Sequence, residues 1–280
     1  MAQTRTYDTI ASQFLTSGQN FGSGALNVSN LNGVQLNSSS SHLADTYVLG
    51  IKLVNDNAIP TASNITKVSV AYTLNKAAFL ATQPVPSAQV ESDWLSGVVQ
   101  DVDITGAIAK AGFSIKTVIF PSSPDGSPWT VDTLFSTVYE LVNNDPNNTI
   151  RCSAIKVTVT FDLPDPIVTT GAALLVRRTN ATLTGTINPS GATSTYPVTY
   201  YWKFGPTTAY GAGQTPSIAV SNAHPITGSD DVSVVGKTPN ILTPNKLYHY
   251  ILVGKNADGT VNGADATFRT ELVDAQVMSF

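Results

Sequence analysis

The sequence predicts an all-β protein, because its composition favours strands and turns and because short strand patterns recur along the chain. Charged residues make up only 12% of the 280 residues, about half of the usual share. Ser, Thr, Asn and Gly supply the polarity instead, and these residues weaken helices and populate strands and turns. The chain contains only three glutamates, whereas a helical protein carries many on its exposed faces.

The first part of the chain has the patterns of a β-sandwich or jelly-roll-like domain. Residues 1–45 are polar but contain frequent aliphatic side chains, which predicts an N-terminal arm or first strands rather than a solvated tail. Strands are predicted at 46–54, 65–74, 115–120, 135–142 and 155–161. A short helix is predicted at 103–111. We expect residues 46–163 to form one domain, which ends at a proline-rich linker, 164–166.

Strand patterns resume after the linker and continue almost to the end of the chain. They are predicted at 182–187, 198–204, 232–235, 247–253 and 264–270. The polar stretch 222–231 is predicted to be an exposed loop, and residues 256–259 a hairpin turn. The length of this part suits a seven-stranded sandwich.

One run in this second part, Leu242-Thr243-Pro244-Asn245-Lys246-Leu247-Tyr248-His249-Tyr250, is specific. It resembles the tyrosine corner of bacterial-type fibronectin type III domains, and the resemblance covers about 166–271. The resemblance implies a seven-stranded, immunoglobulin-like sandwich over 167–280, with a short C-terminal tail. It also implies structural roles for Leu242, Pro244, Tyr248 and Tyr250. Trp202 is then expected to be the core aromatic residue that packs beneath them.

The first domain carries a second resemblance. The segment 129–138, which begins at Trp129 and is followed by the strand 155–161, is similar to a pattern in β-sandwich virion proteins of tailed bacteriophages. The resemblance covers about 45–162 and implies a structural protein of the virion, either a minor tail protein or a head decoration protein. The first domain would anchor the protein to the particle. The implied partners are other virion proteins and further copies of the chain.

Charge and hydropathy bear on other classes of function. The net charge is −4 and no basic stripe occurs, so we expect no nucleic-acid partner. The apolar stretches are too short to span a bilayer, so we expect no membrane insertion. Cys152 is the only cysteine, which excludes an internal disulfide. The N-terminus has no apolar signal segment, and we expect synthesis in a cytoplasm without export.

The sequence offers no clear catalytic site. The histidines are scattered without metal-ligand spacing, so no metal, cofactor or catalytic residue is predicted. A glycosidase needs two carboxylates, and the candidates are Glu91 with Asp93, Asp101 with Asp103, and Glu140. We interpret them as solvated turn acids and predict that the protein is not an enzyme.

Tyrosines of the second domain provide a candidate binding surface. Tyr196, Tyr201 and Tyr210 are predicted to flank loops or a sheet face, where sugar rings stack and many weak copies give avidity. Their alternative interpretation is that of partly buried sandwich aromatics. Two other functions stay open beside the virion hypothesis: a polysaccharide-acting enzyme or carbohydrate-binding accessory protein with a fibronectin type III module, and a host-surface adhesin.

Overall fold

The computed structural model describes residues 2–15, 34–37, 47–53, 55–76, 86–91, 99–103, 114–143, 150–210 and 220–272. The chain divides into two compact units, Ala2–Asp162 and Leu163–Phe280. The described elements are almost all strands in antiparallel sheets, which confirms the predicted all-β class. The only described helix spans six residues, and the described part of the chain contains no helix that could cross a bilayer.

The N-terminal unit contains nine described strands and one helix. They are β1 (Gln3–Leu15), β2 (Val34–Asn37), β3 (Tyr47–Leu53), β4 (Asn64–Lys76), β5 (Pro86–Glu91), β6 (Val99–Asp103), β7 (Ser114–Phe120), α1 (Val131–Ser136), β8 (Val138–Asn143) and β9 (Ile150–Asp162). One sheet has the strand order β1-β9-β4-β7 and the other β2-β3-β8-β5-β6. Because β9 pairs with both β1 and β4, the last strand of this unit holds its first strand in place.

Alternation along the strands buries one face of the four-stranded sheet. Val68, Val70 and Tyr72 of β4 are fully buried, and the residues between them are not. The Tyr72 hydroxyl donates a hydrogen bond of 2.9 Å to the carbonyl oxygen of Glu140 in β8. A buried polar tip is thereby satisfied by the second sheet, which fixes the packing of the two layers.

The C-terminal unit contains eight described strands. They are β10 (Ile167–Leu174), β11 (Thr182–Asn188), β12 (Val198–Gly205), β13 (Val220–Ile226), β14 (Val232–Lys237), β15 (Leu247–Lys255), β16 (Thr260–Asn262) and β17 (Ala266–Arg269). One sheet has the order β10-β11-β14; the other has the order β13-β12-β15-β16, and β17 also pairs with β15. Since β16 and β17 pair with successive parts of β15, they act as one interrupted strand, and the two sheets together then have seven strands.

Trp202 forms the centre of the C-terminal core, as predicted. Its side chain is fully buried, and its ring centroid lies 6.2 Å from that of Tyr250. The indole lies against the backbone of two glycines of the facing sheet, Gly185 in β11 and Gly236 in β14. A larger side chain at either glycine would occupy the space that the indole fills.

The predicted linker and Leu163, the residue before it, make hydrogen bonds within the C-terminal unit. The Leu163 N–H donates to the Asp258 carboxylate at 2.7 Å, and the Asn256 side chain donates to the Pro164 carbonyl at 3.0 Å. The Asn256 side chain also accepts from the N–H groups of Asp258 and Gly259. The predicted 256–259 turn is therefore confirmed, and it fastens the start of the unit.

Two sequence predictions differ from the structure, and a third lies almost wholly outside the described residues. Residues 135 and 136 of the predicted strand 135–142 belong to α1, because Thr130 and Thr133 form a capping box and Val131, Leu134 and Phe135 form a buried helical face. The predicted loop 222–231 is wrong for residues 222–226, which belong to β13 and pair with β12. The predicted helix 103–111 lies outside the described residues except for its first residue, which ends β6. Within the predicted N-terminal arm or first strands, residues 3–15 form strand β1.

Candidate functional site

The outer face of the five-stranded C-terminal sheet is the candidate site. On β12, residues Tyr200, Trp202 and Phe204 point into the core. The alternate residues Tyr201 and Lys203 therefore point away from the core and are half-buried. We call this surface the tyrosine face, and define it by Tyr201, Lys203, Tyr210, His249 and Asp265.

The tyrosine face has an apolar floor. Val253 and Ile251 of β15 lie directly opposite Tyr201 and Lys203. They are 0% and 4% exposed, although their alternation places them outside the main core. The Lys203 ammonium nitrogen lies 5.8 Å from the Tyr201 ring centroid, within the range of a cation–π contact. Aromatic and aliphatic groups therefore lie beside a positive charge.

A hydrogen-bonded Tyr–Asp–His cluster forms one end of the tyrosine face. The Tyr210 hydroxyl donates to one carboxylate oxygen of Asp265 at 2.7 Å. Nδ1 of His249 lies 2.8 Å from the other oxygen. Tyr210 has a φ of 51°, a conformation that is uncommon outside glycine and asparagine. The Asp265 contact thus accompanies a strained backbone position.

The cluster alters the acidity of two of its members. Burial raises the pKa of Tyr210 to about 12, and the hydrogen bond to Asp265 and its charge act in the same direction. Burial also acts to raise the pKa of Asp265, but hydrogen bonds with His249 and Tyr210 outweigh it and lower that pKa. The carboxylate is therefore ionised and the phenol protonated near neutral pH, which leaves Asp265 as an acceptor.

Of the three predicted surface tyrosines, Tyr201 lies on β12 and Tyr210 lies in the turn after it, where its hydroxyl reaches Asp265. Tyr196 lies in the loop before β12, where its N–H donates to the Thr193 hydroxyl at 3.2 Å. Tyr210 follows the other end of β12. A strand of this length separates its two ends by roughly 23 Å, so Tyr196 is not part of the tyrosine face.

The predicted tyrosine-corner residues have structural contacts. The Thr243 N–H donates to the Tyr248 hydroxyl oxygen at 2.9 Å. The Tyr250 hydroxyl donates to the Gly171 carbonyl oxygen at 2.7 Å. Leu242 is buried and Pro244 half-buried. These contacts tie β15 to the segment before it and to β10.

The N-terminal unit has its own polar cluster near the start of β1. Arg5 forms an ion pair with Asp56, and Tyr7 donates to the same carboxylate at 3.4 Å. Burial, with the charge of Asp56, raises the pKa of Tyr7 to about 12. Asp56 also accepts from the Ala58 N–H at 3.1 Å. The cluster ties the segment after β3 to the first strand.

The candidate carboxylates do not form a described pair. Glu140 is 1% exposed in the central strand β8, so its interpretation as a solvated turn acid is wrong. Asp101, Asp103 and Glu91 lie in β6 and β5, but their side chains are outside the described part, as is Asp93. Within the described residues no group of three or more His, Cys, Asp or Glu side chains is placed to hold a metal ion.

Sequence reasoning missed His249 and Asp265 as partners. They are 16 positions apart and meet because β17, which follows Asp265, pairs with β15 through His249 and Thr267. The available signal was the pair of predicted strands, 247–253 and 264–270, joined by a turn. Their pairing would have predicted proximity, although not the hydrogen bond.

No protein-family model matches the chain, and no curated protein matches it. Among solved structures, it is similar to the sensor domain of the anti-sigma factor RsgI4 from Pseudobacteroides cellulosolvens. The identity is 14% and the TM-score 0.28, over 41% of this chain and 98% of that one. A β-glucuronidase of Bacteroides uniformis has 10% identity and a TM-score of 0.25, over 97% of this chain and 32% of the enzyme.

A β-1,2-glucanase from Parabacteroides distasonis has the same identity and TM-score as the β-glucuronidase, over 97% of this chain and 37% of the enzyme. This chain thus spans about a third of the length of either glycoside hydrolase. At such identities and scores, nothing about the activity of this chain follows from the likeness.

Proposed function

We propose that the chain is a non-catalytic structural protein of a tailed-bacteriophage virion, either a minor tail protein or a head decoration protein. The N-terminal unit anchors it to the particle, and the C-terminal unit is a displayed fibronectin type III-like domain. The observation that carries the assignment of the C-terminal unit is the hydrogen bond from the Thr243 N–H to the Tyr248 hydroxyl oxygen. It occurs in the sequence run that resembles the tyrosine corner of that family. The virion assignment rests on the resemblance of segment 129–138.

The proposed mechanism is adhesion through repetition rather than turnover. A stable anchoring contact buries roughly 1,500 Å² in total, and the virion holds many copies in fixed positions. Each tyrosine face then makes a weak contact with a glycan of the host surface. Linking many such contacts raises the overall avidity by about 10²–10⁴ without any new interaction.

Three features of the tyrosine face support a glycan as its ligand. The Tyr201 ring offers an apolar surface on which a sugar ring can stack. Asp265 offers an acceptor for sugar hydroxyls, and Lys203 offers a donor. A small number of polar groups around an aromatic surface is the usual composition of small-ligand sites.

Particle fractionation tests the virion assignment. Antibodies raised against the recombinant full chain should detect it in pelleted, density-purified particles at a constant ratio to the major structural proteins. Immunogold labelling would then assign it to the head or the tail. If the chain stays in the supernatant while the particles pellet, the virion assignment is wrong.

Glycan binding has a separate test. Full-length chain coupled densely to beads should bind purified host cell-wall polysaccharide, and Tyr201→Ala should abolish this binding. Tyr196→Ala is the matched control, because Tyr196 lies beyond the other end of β12, and it should bind like the unmodified chain. Equal binding by the unmodified chain and both variants would refute the proposed glycan contact of the tyrosine face. The virion assignment would be unaffected.

A polysaccharide-acting enzyme is the second candidate, and the contact between His249 and Asp265 favours it only in that both residue types can act as general acids or bases; the second carboxylate of a glycosidase is not found beside them among the described residues. A reducing-sugar assay with cell-wall glycan distinguishes the two functions. We expect no release of reducing ends. Release that disappears in Asp265→Asn, with folding unchanged, would replace the structural proposal by an enzymatic one.

A further inference from the structure

Strand β7 forms an edge of the four-stranded N-terminal sheet. It pairs with β4 through Val68–Leu74 on one side, and no described strand pairs with its other side. Ile115 and Ile119 are 69% and 54% exposed, and Thr117 between them is also exposed. An edge that presents unpaired backbone groups and exposed β-branched side chains is a template for another strand.

The residues exposed on β7 form a symmetric pattern. Ile115, Thr117 and Ile119 occupy alternate positions, so their side chains point to the same face of the sheet. The pattern reads identically in both directions about Thr117. An antiparallel pair of two β7 strands, centred on Thr117, therefore places each Ile115 opposite Ile119 of the other copy.

Charge disfavours one competing register. Lys116 is the only charged residue of β7. In the pairing centred on Thr117 it lies opposite Val118 of the other copy, so no like charges meet. A register centred on Lys116 would place two lysines opposite each other, which is destabilising.

We propose that the outer edge of β7, on which no described strand pairs, binds the same edge of a second copy of this chain, antiparallel and with the two-fold axis at Thr117. The two four-stranded sheets then become one continuous sheet of eight strands. The interface is isologous, as in most homodimers. This proposal does not depend on the virion assignment or on the tyrosine face.

The length of the edge determines the expected strength of the contact. The ends of this seven-residue strand lie roughly 20 Å apart, and one strand pair buries much less than the ~1,200 Å² typical of stable complexes. We therefore expect a weak dimer that forms with rising concentration and dissociates on dilution.

Engineered cysteines test the register directly. In Thr117→Cys the two thiols face each other, and opposite residues of antiparallel strands have Cα atoms about 4.5–5.5 Å apart, within the range of a disulfide. Oxidation should yield a covalent dimer. Ile115→Cys alone and Ile119→Cys alone should yield none, since each thiol lies roughly 13 Å from its own copy. A mixture of these two variants should cross-link.

The unmodified chain is the control for this experiment. Every variant keeps Cys152, so any cross-linking through that residue also occurs in the unmodified chain. Failure of Thr117→Cys to cross-link, or equal cross-linking of the three single variants, would overturn the proposal. Cross-linking of Thr117→Cys and of the mixture alone establishes the pairing.

Sedimentation of the full chain provides an independent measurement. The unmodified protein should show a sedimentation coefficient that rises with concentration, and Ile119→Lys should lose this rise. Ile167→Lys is the matched control, since Ile167 is 64% exposed in the C-terminal unit, and it should self-associate normally. Equal behaviour of the two lysine variants would also contradict the proposal.

Discussion

Replacing Gly236 by alanine tests how tightly the indole of Trp202 packs against the facing sheet. A Cβ at this position would lie 2.4 Å from Cδ1 and 2.5 Å from Nε1 of Trp202. Both distances are far below van der Waals contact, so the ring or β14 must move. The indole has little room to move, because a Cβ at Gly185 would also lie 3.1 Å from it and Tyr250 packs beside it.

The expected cost follows from this confinement. Adding a methyl group to a well-packed core typically costs about 1–3 kcal/mol. Because Trp202 is fully buried, we expect the upper part of that range, about 2–3 kcal/mol. For a unit of this size the loss corresponds to a fall in melting temperature of roughly 10 °C.

Thermal and urea unfolding of the full chain, followed by tryptophan fluorescence, measure the effect. The matched control is Gly259→Ala, since a Cβ at Gly259 has no atom within 4 Å. The control should unfold within about 0.5 kcal/mol of the unmodified chain. If Gly236→Ala is as stable as the control, the packing of Trp202 against β14 is not as described.

Three further predictions concern single hydrogen-bonded groups. Tyr248→Phe removes the acceptor of the Thr243 N–H, and urea unfolding should show a loss of about 1 kcal/mol. Tyr210 has its pKa raised to about 12 from 10.0, so the unfolded chain releases this proton first. The stabilisation that the protonated Tyr210 gives to the folded chain is therefore complete below pH 10 and lost as the pH rises through 12. NMR titration should show that the pKa of Tyr210 is lower in Asp265→Asn than in the unmodified chain. Thr130→Ala removes the N-cap of α1 and should cost about 1 kcal/mol in urea unfolding.

Each of these predictions has a matched control. Tyr200→Phe is the control for Tyr248→Phe, because both tyrosines are 8% exposed and the Tyr200 hydroxyl has no hydrogen-bond partner among the described residues. An equal loss of stability in the two variants would contradict the role of the hydrogen bond between Thr243 and Tyr248. Tyr201→Phe should leave the titration of Tyr210 unchanged, and an unchanged titration in Asp265→Asn would refute the proposed coupling. Ser136→Ala, at the other end of α1, should cost less than the cap substitution; the reverse order would refute the capping box.

Much of the fold was readable from local patterns. The alternation of Val157, Val159 and Phe161 in β9 and of Tyr200 and Trp202 in β12 predicts both strands, because one face of each is buried. Helix α1 escaped this reasoning since six residues are too few to show a helical period. Strand β13 escaped it because 222–226 is largely polar, and its place at the edge of a sheet is decided by pairing with β12.

The candidate site was only partly readable. The sequence indicated Tyr201 and Tyr210 as aromatic residues that flank loops or a sheet face. The Asp265 carboxylate and His249 reach the Tyr210 cluster through tertiary pairing, which no local pattern encodes. Tyr196 is also an aromatic residue beside a predicted strand, but it lies beyond the other end of β12. The length of β12 sets the distance between Tyr196 and Tyr210, and residue type alone does not reveal that distance.

The central position of β9 has a consequence for biosynthesis. Strands β1 and β4 both pair with β9, which is synthesised after them. Strand β1 therefore leaves the ribosome well before β9 has been made. Residue 150 follows residue 15 by roughly 7–30 s at ordinary translation rates of about 5–20 residues per second. Throughout that interval the nascent chain carries an unpaired, β-branched segment, and a chaperone that shields it should increase the yield of folded protein more than one that acts after chain release.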